Sequence, residues 1–440
     1  MECREEELDV NNTRLSFGTR GLTLHIQDAV KTCIVENTLE TTVSEASAQV
    51  RSAVATPVGG LPLAELAKGK RQACIVVSDN TRAAPTPLLV GGVLDVIQEQ
   101  VPEVRIIVAT GLHSSLDQAK MRALVGRRAY ACCSIVCHDA RNARGLVSMG
   151  SSPRGLPILV NRLFVESDLR VLTGLVEPHF MAGYSGGRKS VCPGILGQRS
   201  IQFFHSPALL ESPRADYGIL AGNPVHEEAL YVARKVGVDF IVNAALDSQQ
   251  RVAKVSAGDL EAAWLHCVSF LEMHGRATVQ QRFDIVITSN GGYPLDRNYY
   301  QAVKGLAAAA RIVRPGGIII LAAECRDGLG SDDFRRALRT FTTFRKRDEY
   351  LDYIAQEDNW AIDQWEVEVL SKVLQQVSAV FLYSPGISRE EKSWTCAEPV
   401  SSVEKGLEEA RRRLGKGATV AILPNGPYLI PLVAGEEPET

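Results

Sequence analysis

The chain has 440 residues, enough for two to three domains at about 150 residues each. Hydrophobic residues make up 45 % and charged residues 22 %, an ordinary globular balance that excludes long disordered tracts. With 48 basic and 51 acidic side chains the net charge is −3, so no broad positive field invites nucleic acid.

The acidic start, Met1 to Glu7, lacks the charged-then-apolar order of a secretory signal. From about residue 70, short β-branched runs alternate with helical stretches. Cys74–Val77 reads as a buried strand, Pro87–Glu99 as a helix and Val104–Val108 as the next strand. Ser114 or Ser115 is placed to cap a helix running to Val125. Cys133–Cys137 and Leu169–Val176 read as strands. Cys132, Cys133 and Cys137 are most simply buried thiols there. Asn223-Pro224 is a strong helix start, since Asn accepts a backbone N–H and Pro fits the first turn. That helix ends at Val236-Gly237. Asp239–Leu246 and Val252–Ser256 read as a strand pair, and a helix from Asp259 ends near His274-Gly275.

The polar segment Thr278–Arg282 is taken as the domain boundary. A fresh unit opens with the strand Asp284–Thr288, the helix Tyr299–Ala310 and the strand Gly317–Ala322. The apolar run around that strand, Gly316 to Ala323, is far shorter than the roughly 18 residues a membrane span needs. A helix near Trp360–Val377, a strand Ala379–Leu382, a helix Val403–Arg413 and a strand Ala418–Leu423 follow. The pattern predicts an α/β fold of two α/β domains with mainly parallel sheets. The expected partition is 1–277 and 278–440, with the last ~25 residues packing back on the first domain. Ten cysteines without a CxxC pair suit a reducing, cytoplasmic setting better than a disulfide scaffold.

In such folds ligands bind beyond the carboxyl ends of the strands. Four polar clusters fall at those ends: Asp79-Asn80-Thr81-Arg82, Thr110-Gly111-Leu112-His113, Glu177-Pro178-His179 and Asn290-Gly291-Gly292-Tyr293. The stretch from Gly183 to Ser190 offers small residues with exposed N–H groups, plus Arg188 and Lys189, a combination suited to phosphate. It approaches the P-loop pattern but has Arg188 where the second glycine belongs, and Pro193 would disturb the helix that must follow. His113, His179 and His205 stand at loop-like positions, where imidazole serves proton transfer or metal binding. Arg82 can grip a carboxylate with two parallel hydrogen bonds. Gln301 and Lys304 share one face of a helix start, which favours an anion. Taken singly each has a plainer reading: a structural histidine, an Asx-type turn, a solvated helix face, a glycine-rich surface turn.

Taken together, Asp79-x-Thr81-Arg82, Gly111-x-His113, Glu177-Pro178-His179, Gly183-Tyr184-Ser185-Gly186-Gly187-x-Lys189, His205, Tyr300-Gln301-x-x-Lys304 and Asp363-Gln364-Trp365 resemble the nickel-pincer lactate racemase family. The resemblance implies a two-domain enzyme with its active site in an interdomain cleft. It implies a cofactor, the nickel-pincer nucleotide (nickel pyridinium-3,5-bisthiocarboxylic acid mononucleotide), covalently attached through Lys189 with nickel held by His205. His113 and His179 would be the acid/base pair, and Arg82 and Lys304 would hold the substrate carboxylate, with Gln301, Tyr300 and Trp365 lining the pocket. Asp79 and Thr81 would touch the cofactor, and Ser185, Gly186 and Gly187 would sit by its phosphate. The implied reaction racemises or epimerises a lactate-like 2-hydroxy acid by hydride transfer from C2 through a 2-oxo acid. Its partners would be that small molecule and the enzymes that build the cofactor, with no nucleic acid and no membrane; the sequence leaves room for a homo-oligomer. A P-loop-like phosphotransferase using Lys189 and a zinc hydrolase using His113, His179 and His205 with Asp79 or Glu177 are the competing readings.

Overall fold

Strands buried on both faces have no need to alternate polar and apolar residues, and Ala73 to Val77 is such a run, each residue fully buried. In the computed structural model, which describes residues 13–26, 32–36, 45–247 and 249–436, this run is the strand Gln72–Ser78 of a six-stranded sheet. The sheet order is Val252–Gly258, Phe240–Leu246, Leu169–Leu175, Gln72–Ser78, Glu103–Ala109, Ser134–Cys137. All neighbours are parallel except the first pair. The helix Thr86–Ile97 lays Leu89, Val90, Val93, Leu94 and Ile97 on it, in one core with Ile75, Val77 and Val171. Those residues recur every three to four positions, the spacing of a helix face. The next helix, Gln118–Val125, is capped by Asp117, whose side chain accepts from the Lys120 N–H at 2.8 Å. Neither Ser114 nor Ser115 caps it: the helix starts later than expected, and the carboxylate two residues on takes the role. These elements form one compact unit, ending at His274.

The chain enters this sheet at Gln72–Ser78, winds outward through Glu103–Ala109 to Ser134–Cys137, then crosses back to the other side at Leu169–Leu175. A crevice opens where the winding reverses, outside the carboxyl ends of the strands. The residues that follow those ends are Asp79, Thr110 and Glu177.

The second unit repeats the scheme. Its sheet order is Glu398–Pro399, Ala379–Tyr383, Val313–Ala322, Phe283–Ser289, Val420–Leu423, Thr32–Ile34, all parallel. The winding reverses at Phe283–Ser289, whose carboxyl end runs into Asn290. A partition of the chain at 277 is therefore corrected at both ends. Thr32–Ile34 pairs with Val420–Leu423, and Leu15, Leu24 and Ile26 join the core of Ile285, Ile320 and Ile422. The closing strand Ile430–Val433 pairs with Arg276–Val279 of this same unit. The first addition covers the edge of Val420–Leu423, and the second forms a separate two-stranded sheet. Among the described residues no helix is long and apolar enough to cross a membrane.

Candidate active site

The crevice of the first sheet holds a linked set of charged side chains. Asp79 is 5 % exposed. Its Oδ1 accepts from the Thr81 N–H at 3.1 Å and the Thr81 hydroxyl at 2.6 Å, and its Oδ2 lies 2.6 Å from His113 Nδ1. Burial alone would raise the Asp79 pKa; the His113 ring, its hydrogen bond, the Thr81 hydroxyl and the Arg82 charge together outweigh that and hold it at about 2. Arg82 donates from Nη1 to Glu177 Oε1 at 3.0 Å. His179 is buried on the short strand Pro178–His179, paired with Gly183–Tyr184. Its Nδ1 accepts from the N–H groups of Met181 at 3.2 Å and Ala182 at 3.3 Å. Its ring stacks on Phe180, centroids 4.9 Å apart.

The glycine loop is built differently from an open phosphate cradle. The Ser185 hydroxyl donates to Leu175 O at 2.9 Å and accepts from the Glu177 N–H at 2.9 Å, while the Ser185 N–H donates to Glu177 O. The Gly187 N–H donates to Asn243 Oδ1 at 2.8 Å. A Cβ on Gly186 would fall 2.8 Å from Asn243 Oδ1, and one on Gly187 2.9 Å from the Trp264 ring, both at positive φ. The glycines at Gly186 and Gly187 let the chain pass tightly against its own core, with the Ser185 hydroxyl and the Gly187 N–H engaged within it. Arg188 is 1 % exposed, donates to Ala182 O and Tyr184 O, and lies 3.8 Å over the Trp264 ring. Burial pushes its pKa down to about 9. Gly187–Ser190 is a single turn rather than the start of a long helix, which removes the P-loop reading.

That turn carries Lys189, half-buried, its ammonium 5.7 Å from the Phe204 ring centroid. His205 follows the helix Gln198–Phe204. Its Nδ1 lies 3.0 Å from Ile201 O. A carbonyl only accepts, so Nδ1 carries the proton and Nε2 the lone pair. Burial, then the Lys189 charge, lowers the His205 pKa to about 3, so the ring is neutral, as a metal ligand must be. Among the described residues no three His, Cys, Asp or Glu side chains gather as a metal site, so the zinc-hydrolase reading lacks its ligand set. His138 is structural: Nε2 donates to Leu196 O and Nδ1 accepts from Asn161.

In the second unit, Asn298 caps the helix Tyr299–Ala310 by accepting from the Gln301 N–H at 3.0 Å. The first turns of that helix carry Tyr300, Gln301 and Lys304. Gln301 and Lys304 are buried, and the Lys304 ammonium donates to Gln301 Oε1. Trp365, at the start of Gln364–Gln376, donates from Nε1 to the Tyr300 hydroxyl at 2.9 Å. Phe334 meets Tyr300 edge-on at 5.2 Å. Sequence reasoning missed Glu177 as the partner of Arg82 and Asn243 and Trp264 as the walls of the glycine loop. Glu177 was signalled by its place at a strand end; the other two lie in ordinary strand and helix patterns.

The lactate racemase N-terminal domain model matches residues 17–218 and the lactate racemase C-terminal domain model residues 278–430. The chain is 35 % identical over 386 residues to lactate racemase of Thermoanaerobacterium thermosaccharolyticum, covering 87 % of this chain and 89 % of that one. It is 33 % identical over 382 residues to lactate racemase of Lactiplantibacillus plantarum, covering 86 % and 89 %. The solved lactate racemase apoprotein of T. thermosaccharolyticum superposes with a TM-score of 0.86 at 31 % identity, over 96 % of this chain and 99 % of that one. A Thermotoga maritima protein shares the fold at a TM-score of 0.65 and 17 % identity, over 88 % and 97 % of the two chains. With both domain models matched and relatives aligned over nearly their full length, the chain belongs to the lactate racemase family.

Proposed function

We propose that the protein racemises or epimerises a lactate-like 2-hydroxy acid by way of the 2-oxo acid. The observation that supports this most is one crevice containing two histidines ordered for proton handling and a third, His205, ordered as a neutral nitrogen donor. The donor set fits a nickel-pincer nucleotide: His205 Nε2 would hold the nickel, and Lys189, on its tight turn, would carry the covalent bond. When bound, that cofactor supplies the acceptor for the C2 hydride, the step for which no protein side chain is suited. The protein's own residues do the rest. Arg82, aimed by Glu177, takes one end of the substrate carboxylate, and Lys304 supplies the second positive charge. Gln301, Tyr300 and Trp365 shape the substrate's surroundings. His113 and His179 handle the proton on the C2 oxygen. A cytoplasmic setting, with the cofactor-building enzymes as suppliers, goes with this reading.

The test is to make the protein alongside cofactor-building enzymes, then measure intact mass, nickel content and chiral conversion over a panel of 2-hydroxy acids. The expected result is a mass adduct that disappears in Lys189→Ala, nickel that disappears in His205→Ala, and conversion of at least one panel member. An adduct-bearing, nickel-loaded protein that converts no panel member would reject the proposal.

A further inference from the structure

Cys132 ends the short helix Arg127–Cys132, and Cys133 caps it, its N–H donating to Ala129 O at 3.0 Å. Cys132 is exposed, not the buried thiol that its strand-like surroundings suggest, while Cys133 is half-buried and packs against the core of the first unit. The two sulfurs are 3.7 Å apart, within hydrogen-bond reach of each other. Burial and that contact push the Cys133 thiol up to about 12, so Cys133 keeps its proton and donates it toward Cys132. The Arg128 guanidinium, one helical turn back, lies within electrostatic range of both sulfurs. It is held in place by Asp95, and by Gln98 at 3.0 Å. A thiolate formed at Cys132 therefore has a positive charge and an S–H donor beside it. Elsewhere the surroundings are inert. Cys74, Cys267 and Cys325 are buried, with thiols pushed up to about 12 by that burial, and Cys192 is buried and pushed up likewise.

We propose that Cys132 and Cys133 form a dithiol that a hydroperoxide converts reversibly to a disulfide, with Cys132 the sulfur that meets the oxidant and Cys133 the sulfur that resolves it. In the first step the Cys132 thiolate attacks a peroxide oxygen. An S–O bond forms, the O–O bond breaks, and the departing oxygen takes up the proton that Cys132 gave away. Cys132 is now a sulfenic acid, and hydrogen peroxide has become water. The Cys133 sulfur then attacks the Cys132 sulfur. The S–S bond forms, the S–O bond breaks, and the hydroxyl leaves as water with the Cys133 proton. Two electrons have passed from the pair of thiols to the peroxide. Neighbouring Cα atoms are about 3.8 Å apart, less than the roughly 4.4–6.8 Å that disulfides usually span. The closed ring is therefore strained, and a small thiol reopens it. In a reducing setting such a labile bond suits sensing rather than scaffolding. The pair lies at the amino end of the edge strand Ser134–Cys137, whereas the crevice lies beyond the carboxyl ends. The dithiol is thus a separate site and does not depend on the racemase reading.

The test treats the full-length chain with a slight excess of hydrogen peroxide, alkylates the remaining thiols, and reads the intact mass and the tryptic segment Ala129–Arg141. The expected product is that segment short of two hydrogens, with Cys137 alkylated, and dithiothreitol should restore both thiols. Cys133→Ser should leave Cys132 as a sulfenic acid that dimedone traps. Cys132→Ser should leave Cys133 reduced at the same dose, and Cys137→Ser should form the bond as the wild type does. An unmodified segment, a bond that includes Cys137 or joins two chains, or a sulfinic acid on Cys132 beside a free Cys133 would overturn the proposal. Oxidation of Cys133 in Cys132→Ser as fast as in the wild type would overturn the order of the two sulfurs.

Discussion

A guanidinium that grips a carboxylate works best when it is aimed before the substrate arrives, because the cost of ordering it is then met in folding. On the role proposed for Arg82, Glu177 would do this through the 3.0 Å contact, and both side chains are largely shielded from water. Glu177→Gln is expected to raise KM about tenfold or more, since a hydrogen bond to a charged group is worth about 1.5–3 kcal/mol, while kcat changes less. Steady-state kinetics on the converted substrate check this; an unchanged KM would show that Arg82 needs no such support. Asp79 makes a different, acid-side prediction. Its pKa in the folded protein, about 2, lies below the unfolded value near 3.9. The lower value belongs to the folded state, so the stabilisation is complete above about pH 4 and is lost as the pH falls through about 2. At 1.36 kcal/mol per unit, it amounts to roughly 2–3 kcal/mol. Urea-unfolding midpoints should separate wild type from Asp79→Asn at pH 6 and converge toward pH 2. A separation undiminished at pH 2 would contradict the ionic origin.

Gly187 shows how an element can be fixed by what it passes against. Its φ is +49° and an added Cβ would sit 2.9 Å from Trp264, whose Nε1 already donates to Ser185 O at 2.8 Å. Gly187→Ala should lower stability by ~1–3 kcal/mol through strain and overpacking, seen as a lower Tm and altered Trp264 fluorescence. An unshifted Tm would mean that the loop can relax. The same loop marks the limit of reading sequence: its glycines suggested phosphate, and their packing against residues some 60 to 80 positions away leaves no local trace. Elements with strong local signals were legible. Pro224–Val236 begins where Asn223 caps it, accepting from the N–H groups of Val225 and His226, and the buried parallel strands announced themselves as apolar runs. The hairpin Leu146–Ser151 with Pro157–Asn161 was not legible, since its first strand is half-exposed and partly polar. The site residues were named by their motifs, yet their partnerships were hidden: Asp79 meets His113 across 34 positions and Arg82 meets Glu177 across 95.

The molecule is two doubly wound sheets, one continuous in sequence and one that draws its first and last pieces from both ends of the chain. Removing the residues up to 36 should therefore weaken the unit that begins at Gly275, by deleting an edge strand and the buried Leu15, Leu24 and Ile26, each side chain worth about 1.5–3 kcal/mol. Hydrogen exchange should rise across 275–436 and stay unchanged across 45–274; a uniform rise would contradict this division. The pairing of Thr32–Ile34 with Val420–Leu423 also orders events at the ribosome. The edge strand is made first, but the strand it pairs with emerges about 390 residues later. At about 5–20 residues per second, the nascent segment waits roughly 20–80 s for its place. Meanwhile the intervening sheet, with Asp79, His113, His179, Lys189 and His205 all in place along it, has its full sequence available to fold. The half bearing these residues is thus complete before translation ends, and the unit bearing Lys304 is the last to be completed.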